Sequence, residues 1–374
     1  MASPSSTSSS RRWPWAGLLA VALIMLWDST FFQPRSLWEA TVGRLDRSHA
    51  LELGLARDQL EFRNVRERPE DRLGVLVVGS SRAESGFLVR QVGRAAKETY
   101  TFGHVAHAGL GPFALRSMVG EIQRTQPDAL VLYLSQFDTH RPVLNIPQAS
   151  YGEFGAVSDL ARLVGSEFVF ENRTFFYRLL AACSLESYRF RGVLGRSFLD
   201  PLRTFSFDDT DRFPTGVPPE MMALVAGGRP TALDPAEKER LEEEVLALFP
   251  HLPNMGRTGF NHVRWVTRGD HSRIQQGLLR EALERLDRAE IQIFLVEPPL
   301  HPITSDLYDV SIRDDFLLFV DEMVERHGVR WVPLTEMEEF VSEDFFDLTH
   351  VARPGALKLT REVVQALDAW AAER

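Results

Sequence analysis

The chain has 374 residues, 44% of them hydrophobic and 25% charged, a composition that excludes a mainly disordered or fibrous protein and suits one domain of catalytic size or two smaller ones. Its 42 Lys and Arg against 52 Asp and Glu leave a formal charge of -10, without the basic excess of a duplex nucleic-acid binder. Cys183 is the only cysteine, which excludes an intramolecular disulfide framework and any cysteine-rich zinc or iron-sulfur site.

Residues 1–10 are mostly Ser with Pro and Thr, Arg11 and Arg12 follow, and Trp13 to Trp27 then runs without a charge. A helical span needs roughly 20 apolar residues, so this run reaches across only if Asp28 lies at the interface and Phe31 and Phe32 help to anchor it. The flanking tryptophans and the lack of a small-x-small cleavage site favour an uncleaved signal anchor over residues 1–35. A cleaved signal peptide and a buried amino-terminal helix are the alternatives, and Arg11-Arg12 as a twin-arginine signal fits poorly. Keeping the arginine pair in the cytoplasm would put the rest on the far side of the cytoplasmic membrane, as a single-pass protein with an extracytoplasmic domain. Residues 36–72 are charged and helix-forming and read as a solvated juxtamembrane spacer, with Pro69 at the boundary.

From there apolar runs of strand length alternate with helical patterns. Strands are expected over Gly74–Gly79, about Tyr100–Ala106, Ala129–Leu134, Ile291–Glu297 and Val329–Val332. Helices are expected near Phe87–Lys97, Pro112–Gln123, Ser272–Ala289, Phe316–His327 and Pro354–Ala372. The pattern predicts an α/β domain over residues 73–372, with a parallel sheet and helices on both faces. Its ligands would bind beyond the carboxyl ends of the strands. The alternation breaks over about residues 141–265, an insertion expected to be partly helical, near Thr174–Tyr188 and Ala236–Leu248, with a turn-rich stretch from Phe207 to Pro235. It reads equally as a lid or acceptor surface and as packing.

Three strand-end positions converge. Ser80 and Ser81 follow the first strand in VLVVGSSRAESG, where a tight Gly turn can lift a hydroxyl to the sheet edge. Asp347 and His350 stand three residues apart in DFFDLTHVARPGA, just before the last helix. The carboxylate can there hold one ring nitrogen while the other faces a serine hydroxyl as general base.

In this order and context the segments resemble the SGNH (GDSL-like) hydrolase superfamily. Gly79-Ser80-Ser81 takes the place of Gly-Asp-Ser, which makes Ser81 the implied nucleophile and Ser80 the alternative. Gly109, in AHAGLGP, matches the second block and would lend a backbone N–H to the oxyanion hole beside that of Ser81. Asp347 and His350 match the last block, followed by Pro354 and Gly355 at the helix entry. The third block departs from the pattern. Ser135-Gln136-Phe137-Asp138 replaces Gly-x-Asn-Asp, so Phe137 stands where the oxyanion Asn would be and Gln136 is the candidate substitute.

The likeness covers about residues 72–140 and 265–372 and implies a three-layer α/β/α fold, flavodoxin-like in its sheet. It implies an esterase or O-acyltransferase working through an acyl-serine, with no cofactor and no metal. Membrane-anchored branches look closest, such as DltD-like and alginate acetylation proteins. They imply an acyl donor, a glycan or polymer acceptor and a membrane-bound acyltransferase partner, and no nucleic acid. The alternative is a catalytically degenerate binding or assembly protein of the envelope.

Other residues carry weaker signals. His104, His107 and His140 lack the spacing of a known zinc site. Arg82 and Glu84 are placed to pair with each other or to meet a charged substrate. His301, in VEPPLHP, reads either as lining the cleft or as an exposed residue on a Pro-rich turn, and the aromatic run FVFENRTFFYRLL reads mainly as core.

Overall fold

A computed structural model describes residues 13–140 except 33, 45–49, 93 and 108–109, residues 153–184, Arg240 and Glu243, and residues 273–374 except 303–309 and 335–339. The expected helix at 236–248, the turn-rich stretch 207–235 and Gly109 lie outside the described residues, Arg240 and Glu243 apart. Three helices open the chain: α1 (Trp13–Phe31), α2 (Arg35–Arg44) and α3 (Ala50–Arg66). They are followed by β1 (Leu73–Gly79), α4 (Ser81–Gly86), α5 (Arg94–Thr99), β2 (Tyr100–Ala106), α6 (Pro112–Thr125), β3 (Ala129–Tyr133) and α7 (Gln136–Thr139). Within the expected insertion stand α8 (Phe154–Val164), α9 (Ser166–Glu171) and α10 (Arg173–Ser184). Then come α11 (Arg273–Asp287), β4 (Gln292–Glu297), α12 (Val310–His327), β5 (Arg330–Pro333) and α13 (Arg353–Glu373).

The five strands form one sheet in the order β2-β1-β3-β4-β5, and each neighbouring pair runs parallel. The domain is therefore α/β, as expected. Parallel strands bury both faces and need continuous apolar sequence, and GVLVV and ALVLY supply it. Alternate residues feed two cores: Leu76 and Val78 join one with Phe62, Leu115 and Leu279, while Val75 and Val77 join the other with Phe87, Leu359 and Trp370. In register, Gly79 lies opposite Ala106 on β2 and Tyr133 on β3. Three consecutive strand ends thus open onto the same edge.

Residues 36–72 are not a solvated spacer. Trp38, Leu55, Phe62 and Val65 are buried in the first core, and the Trp38 indole N–H donates to the Phe32 carbonyl at 2.9 Å. A β carbon at Gly103 would meet Val65 at 2.7 Å and the Glu61 carbonyl at 2.9 Å, so α3 rides directly on the backbone of edge strand β2. α1 keeps Leu19, Leu23, Ile24, Leu26 and Trp27 exposed. Among the described residues no helix is long and apolar enough to cross a membrane.

The described part of the insertion is packed. Phe175, Phe176 and Leu179 share a third apolar cluster with Phe113, Leu160 and Ile274, and the buried Arg116 on α6 is neutralised by Glu153 at 2.6 Å and Asp159 at 2.6 Å. Within the aromatic run, Phe170 and Tyr177 remain exposed.

Phe62→Ala is expected to lower the unfolding free energy by about 3–5 kcal/mol, as for a buried aromatic, measured by urea denaturation followed by circular dichroism. A solvated spacer would show a change within roughly 0.5 kcal/mol.

Candidate active site

The site is assembled at the carboxyl ends of β1, β2 and β3 and in the loop before α13. β1 ends at Gly79 because the chain must turn there: a β carbon would meet Ala83 Cβ at 2.7 Å and Tyr133 Cβ at 2.8 Å. Ser80 is extended and its carbonyl accepts from the Ala83 and Glu84 N–H groups, which starts α4 with Ser81 as its first residue. Ser80 is buried, whereas Ser81 is half-buried at the edge.

The second half of the site is a short loop closed on itself. Phe345 and Val351 form an antiparallel bridge, the Ala352 N–H donates to the Asp344 carbonyl at 2.7 Å, and the Phe346 N–H donates to the His350 carbonyl at 2.8 Å. Gly355 in the first turn of α13 lies so close to the Asp344 carbonyl that a β carbon has no room. Asp344 Oδ2 accepts from the Val341 N–H at 3.0 Å and from Lys358 Nζ at 2.7 Å. His301 is buried, not exposed. Its ring meets the Phe345 ring edge-on at a 5.3 Å centroid distance, and its backbone N–H donates to the Leu348 carbonyl at 3.3 Å. Burial lowers the basicity of its ring.

The loop places His350 between Asp347 and Ser81. His350 Nε2 lies 2.7 Å from Ser81 Oγ, and Nδ1 lies 2.8 Å from Asp347 Oδ2 and 3.0 Å from Oδ1. A carboxylate only accepts, so Nδ1 carries the proton and Nε2 is left to accept from the Ser81 hydroxyl. Asp347 Oδ1 also accepts from the N–H groups of Thr349 and His350, each at 2.8 Å. Burial pushes the Asp347 carboxyl up, but the His350 ring and these two N–H donors outweigh it and hold Asp347 below the usual carboxylate range. The arrangement can do what such a triad does: generate a nucleophilic hydroxyl at neutral pH and stabilise the imidazolium that forms. Ser80 makes no hydrogen bond to His350.

The altered third block is a structural joint. Ser135 caps α7, accepting from the Phe137 N–H at 3.0 Å, while the Asp138 carboxylate accepts from the Ser135 N–H at 2.9 Å. The buried Arg82, next to Ser81, pairs with Asp138 and not with Glu84, and its guanidinium lies 5.3 Å from the Phe137 ring centroid. Phe137 is thus the floor under an Arg–Asp pair that ties α4 to α7. Gln136, the proposed substitute donor, is buried, and its Oε1 lies 3.3 Å from Arg313 Nη1.

The three candidate histidines go to separate partners. His107 Nε2 pairs with Asp58 on α3. His140 lies 3.1 Å from Asp315 through Nε2, and His104 Nε2 lies 3.2 Å from the Ala83 carbonyl. Among the described residues no cluster of three or more His, Cys, Asp or Glu is arranged to hold a metal ion. Burial pushes the Asp58 carboxyl up against the opposing pull of His107. The same carboxylate holds the His107 ring above its ordinary value despite burial. Asp58 had no local signal, because its partner is 49 positions away. His107 sits one residue past β2, and its N–H donates to the Gly79 carbonyl at 3.2 Å, which ties α3 to the turn before Ser81.

A domain family of unknown function matches residues 271–369, the segment from α11 into α13 that carries Asp347 and His350. No curated protein matches the chain.

Burial lowers the His104 pKa from 6.5 to about 4. The ring stays neutral in the folded protein where the unfolded chain takes up a proton. Stability is therefore lost as pH falls from the unfolded value toward the folded one, by up to about 3 kcal/mol for this shift. Urea unfolding at pH 7 and pH 4.5 is expected to show a smaller acid loss for His104→Gln than for the wild type.

Proposed function

We propose that the chain is an extracytoplasmic serine esterase or O-acyltransferase of SGNH type, acting on acyl esters of cell-surface glycans or related polymers. The observation that carries this reading is the continuous hydrogen-bonded chain Asp347–His350–Ser81, with the serine at a strand-to-helix turn and the other two residues before the last helix. A parallel sheet whose alternate residues feed two cores supports the three-layer arrangement of that superfamily. Arg11-Arg12 ahead of the apolar α1, with its exposed leucines and Trp27, supports attachment at the cytoplasmic membrane.

In this mechanism Ser81 Oγ attacks the acyl carbonyl as His350 Nε2 takes its proton. Asp347 keeps the ring in the required tautomer and stabilises the imidazolium. The tetrahedral oxyanion is received by the backbone N–H groups of Ser81 and Gly109 and by the Gln136 amide. Collapse expels the alcohol, protonated by His350, and leaves an acyl-serine. Water or a polymer hydroxyl, deprotonated in turn by His350, then releases the acyl group. Exclusion of water would favour transfer over hydrolysis, a role we assign to the insertion, whose described part packs on α6 and α11.

Fluorophosphonate labelling tests this directly. The wild type is expected to label, Ser80→Ala to label alike, and Ser81→Ala to lose labelling. His350→Ala is expected to slow labelling by roughly 1000-fold or more and Asp347→Asn to slow it strongly. A folded wild type that does not label would instead favour a non-catalytic envelope-binding protein.

A further inference from the structure

Gln136 opens α7, three residues past the end of β3. β3 pairs with β1, whose end leads into Ser81, on one side and with β4, which ends at Glu297, on the other. Glu297 is almost fully buried. A buried carboxylate without a counter-charge would be costly, and Arg313 in the first turn of α12 supplies one with two parallel contacts, Nη1 to Oε1 and Nη2 to Oε2 at 2.9 Å. That two-pronged grip fixes the plane of the guanidinium. The same Nη1 also meets Gln136 Oε1 at 3.3 Å. Arginine has no acceptor, so the end of the Gln136 amide that faces it must be the carbonyl. The Nε2 end, with its two hydrogens, is thereby the end turned away from Arg313, and no hydrogen bond among the described residues uses it.

α12 holds the backbone of the same residue as well. Asp315, two positions after Arg313, takes His140 Nε2 at 3.1 Å and Gln276 Nε2 at 2.6 Å. His140 in turn places Nδ1 3.1 Å from the Gln136 carbonyl and donates its N–H to it at 3.0 Å. One helix therefore fixes both the main chain and the amide orientation of Gln136, at the strand end next to the nucleophile.

We propose that Glu297 and Arg313 are positioning residues for the acyl-transfer reaction, which orient Gln136 so that its Nε2 donates to the oxyanion in place of the asparagine displaced by Phe137. The proposal rests on the serine acyl-transfer reading. Arg313 is neutralised by Glu297, so it acts through the amide and does not serve as a docking charge for an anionic substrate.

The test is hydrolysis of p-nitrophenyl acetate by the full chain, with kcat and KM measured separately. Gln136→Ala is expected to lower kcat by roughly 100-fold with little change in KM, as for one lost oxyanion donor. The double variant Glu297→Gln with Arg313→Met removes the pair without stranding a buried charge, and is expected to lower kcat by roughly 10- to 100-fold through misorientation alone. Added to Gln136→Ala, the same double change is expected to cost nothing further, because the group it positions is gone. Gln136→Glu keeps a partner for Arg313 but has no N–H to give, so it is expected to fall as far as Gln136→Ala, and it serves should the double variant not fold. Equal losses from the double change in both backgrounds, or wild-type kcat in Gln136→Glu, would overturn the proposal while leaving the serine mechanism standing. A wild type with neither turnover nor fluorophosphonate labelling at Ser81 would overturn both.

Discussion

The hydrogen bond between Ser81 and His350 joins residues 269 positions apart, and most of the fold can be read as what makes that contact possible. Ser81 is held from one side by the tight turn after β1, whose glycine lets β3 and α4 close in. His350 is held from the other by a loop whose ends are bridged and whose following helix sits against the Asp344 carbonyl. Neither half depends on a long flexible segment among the described residues. An acyl-transfer triad needs this rigidity, since a displacement of about 1 Å at the reacting atoms can cost roughly 100-fold in rate.

The rim of the site is lined by paired charges. Arg82 with Asp138, Arg313 with Glu297 and His107 with Asp58 each join two different elements. Pairs of this kind contribute little net stability, because desolvation offsets much of their attraction, but breaking one leaves an uncompensated charge behind. Their effect is to fix register between elements.

The sheet was legible because parallel strands buried on both faces cannot hide their composition: GVLVV, ALVLY and IQIFLVE stand out in any window. The triad was legible because each member sits at a strand or helix boundary with its own local pattern. The amino-terminal helices were misread as solvated because charges dominate residues 36–72, although Leu55, Phe62 and Val65 fall on one helical stripe. α12 was expected from Phe316 and begins at Val310. Its first two turns carry Arg313 and Asp315, which look like surface until Glu297, Gln136 and His140 are brought against them. Such residues cannot be recognised without the tertiary contacts, because their partners lie in other elements. His301 was misjudged for the same reason, its cover being Phe345.

The proposed mechanism requires that Ser81 be acylated during turnover. The most direct measurement is mass spectrometry of the protein acid-quenched in the first turnover of p-nitrophenyl acetate, with the modified residue located by peptide fragmentation. An acetyl group is expected on Ser81 of the wild type and is expected to be absent from His350→Ala quenched at the same time. An adduct on Ser80 or elsewhere, or turnover with no adduct on Ser81, would contradict it.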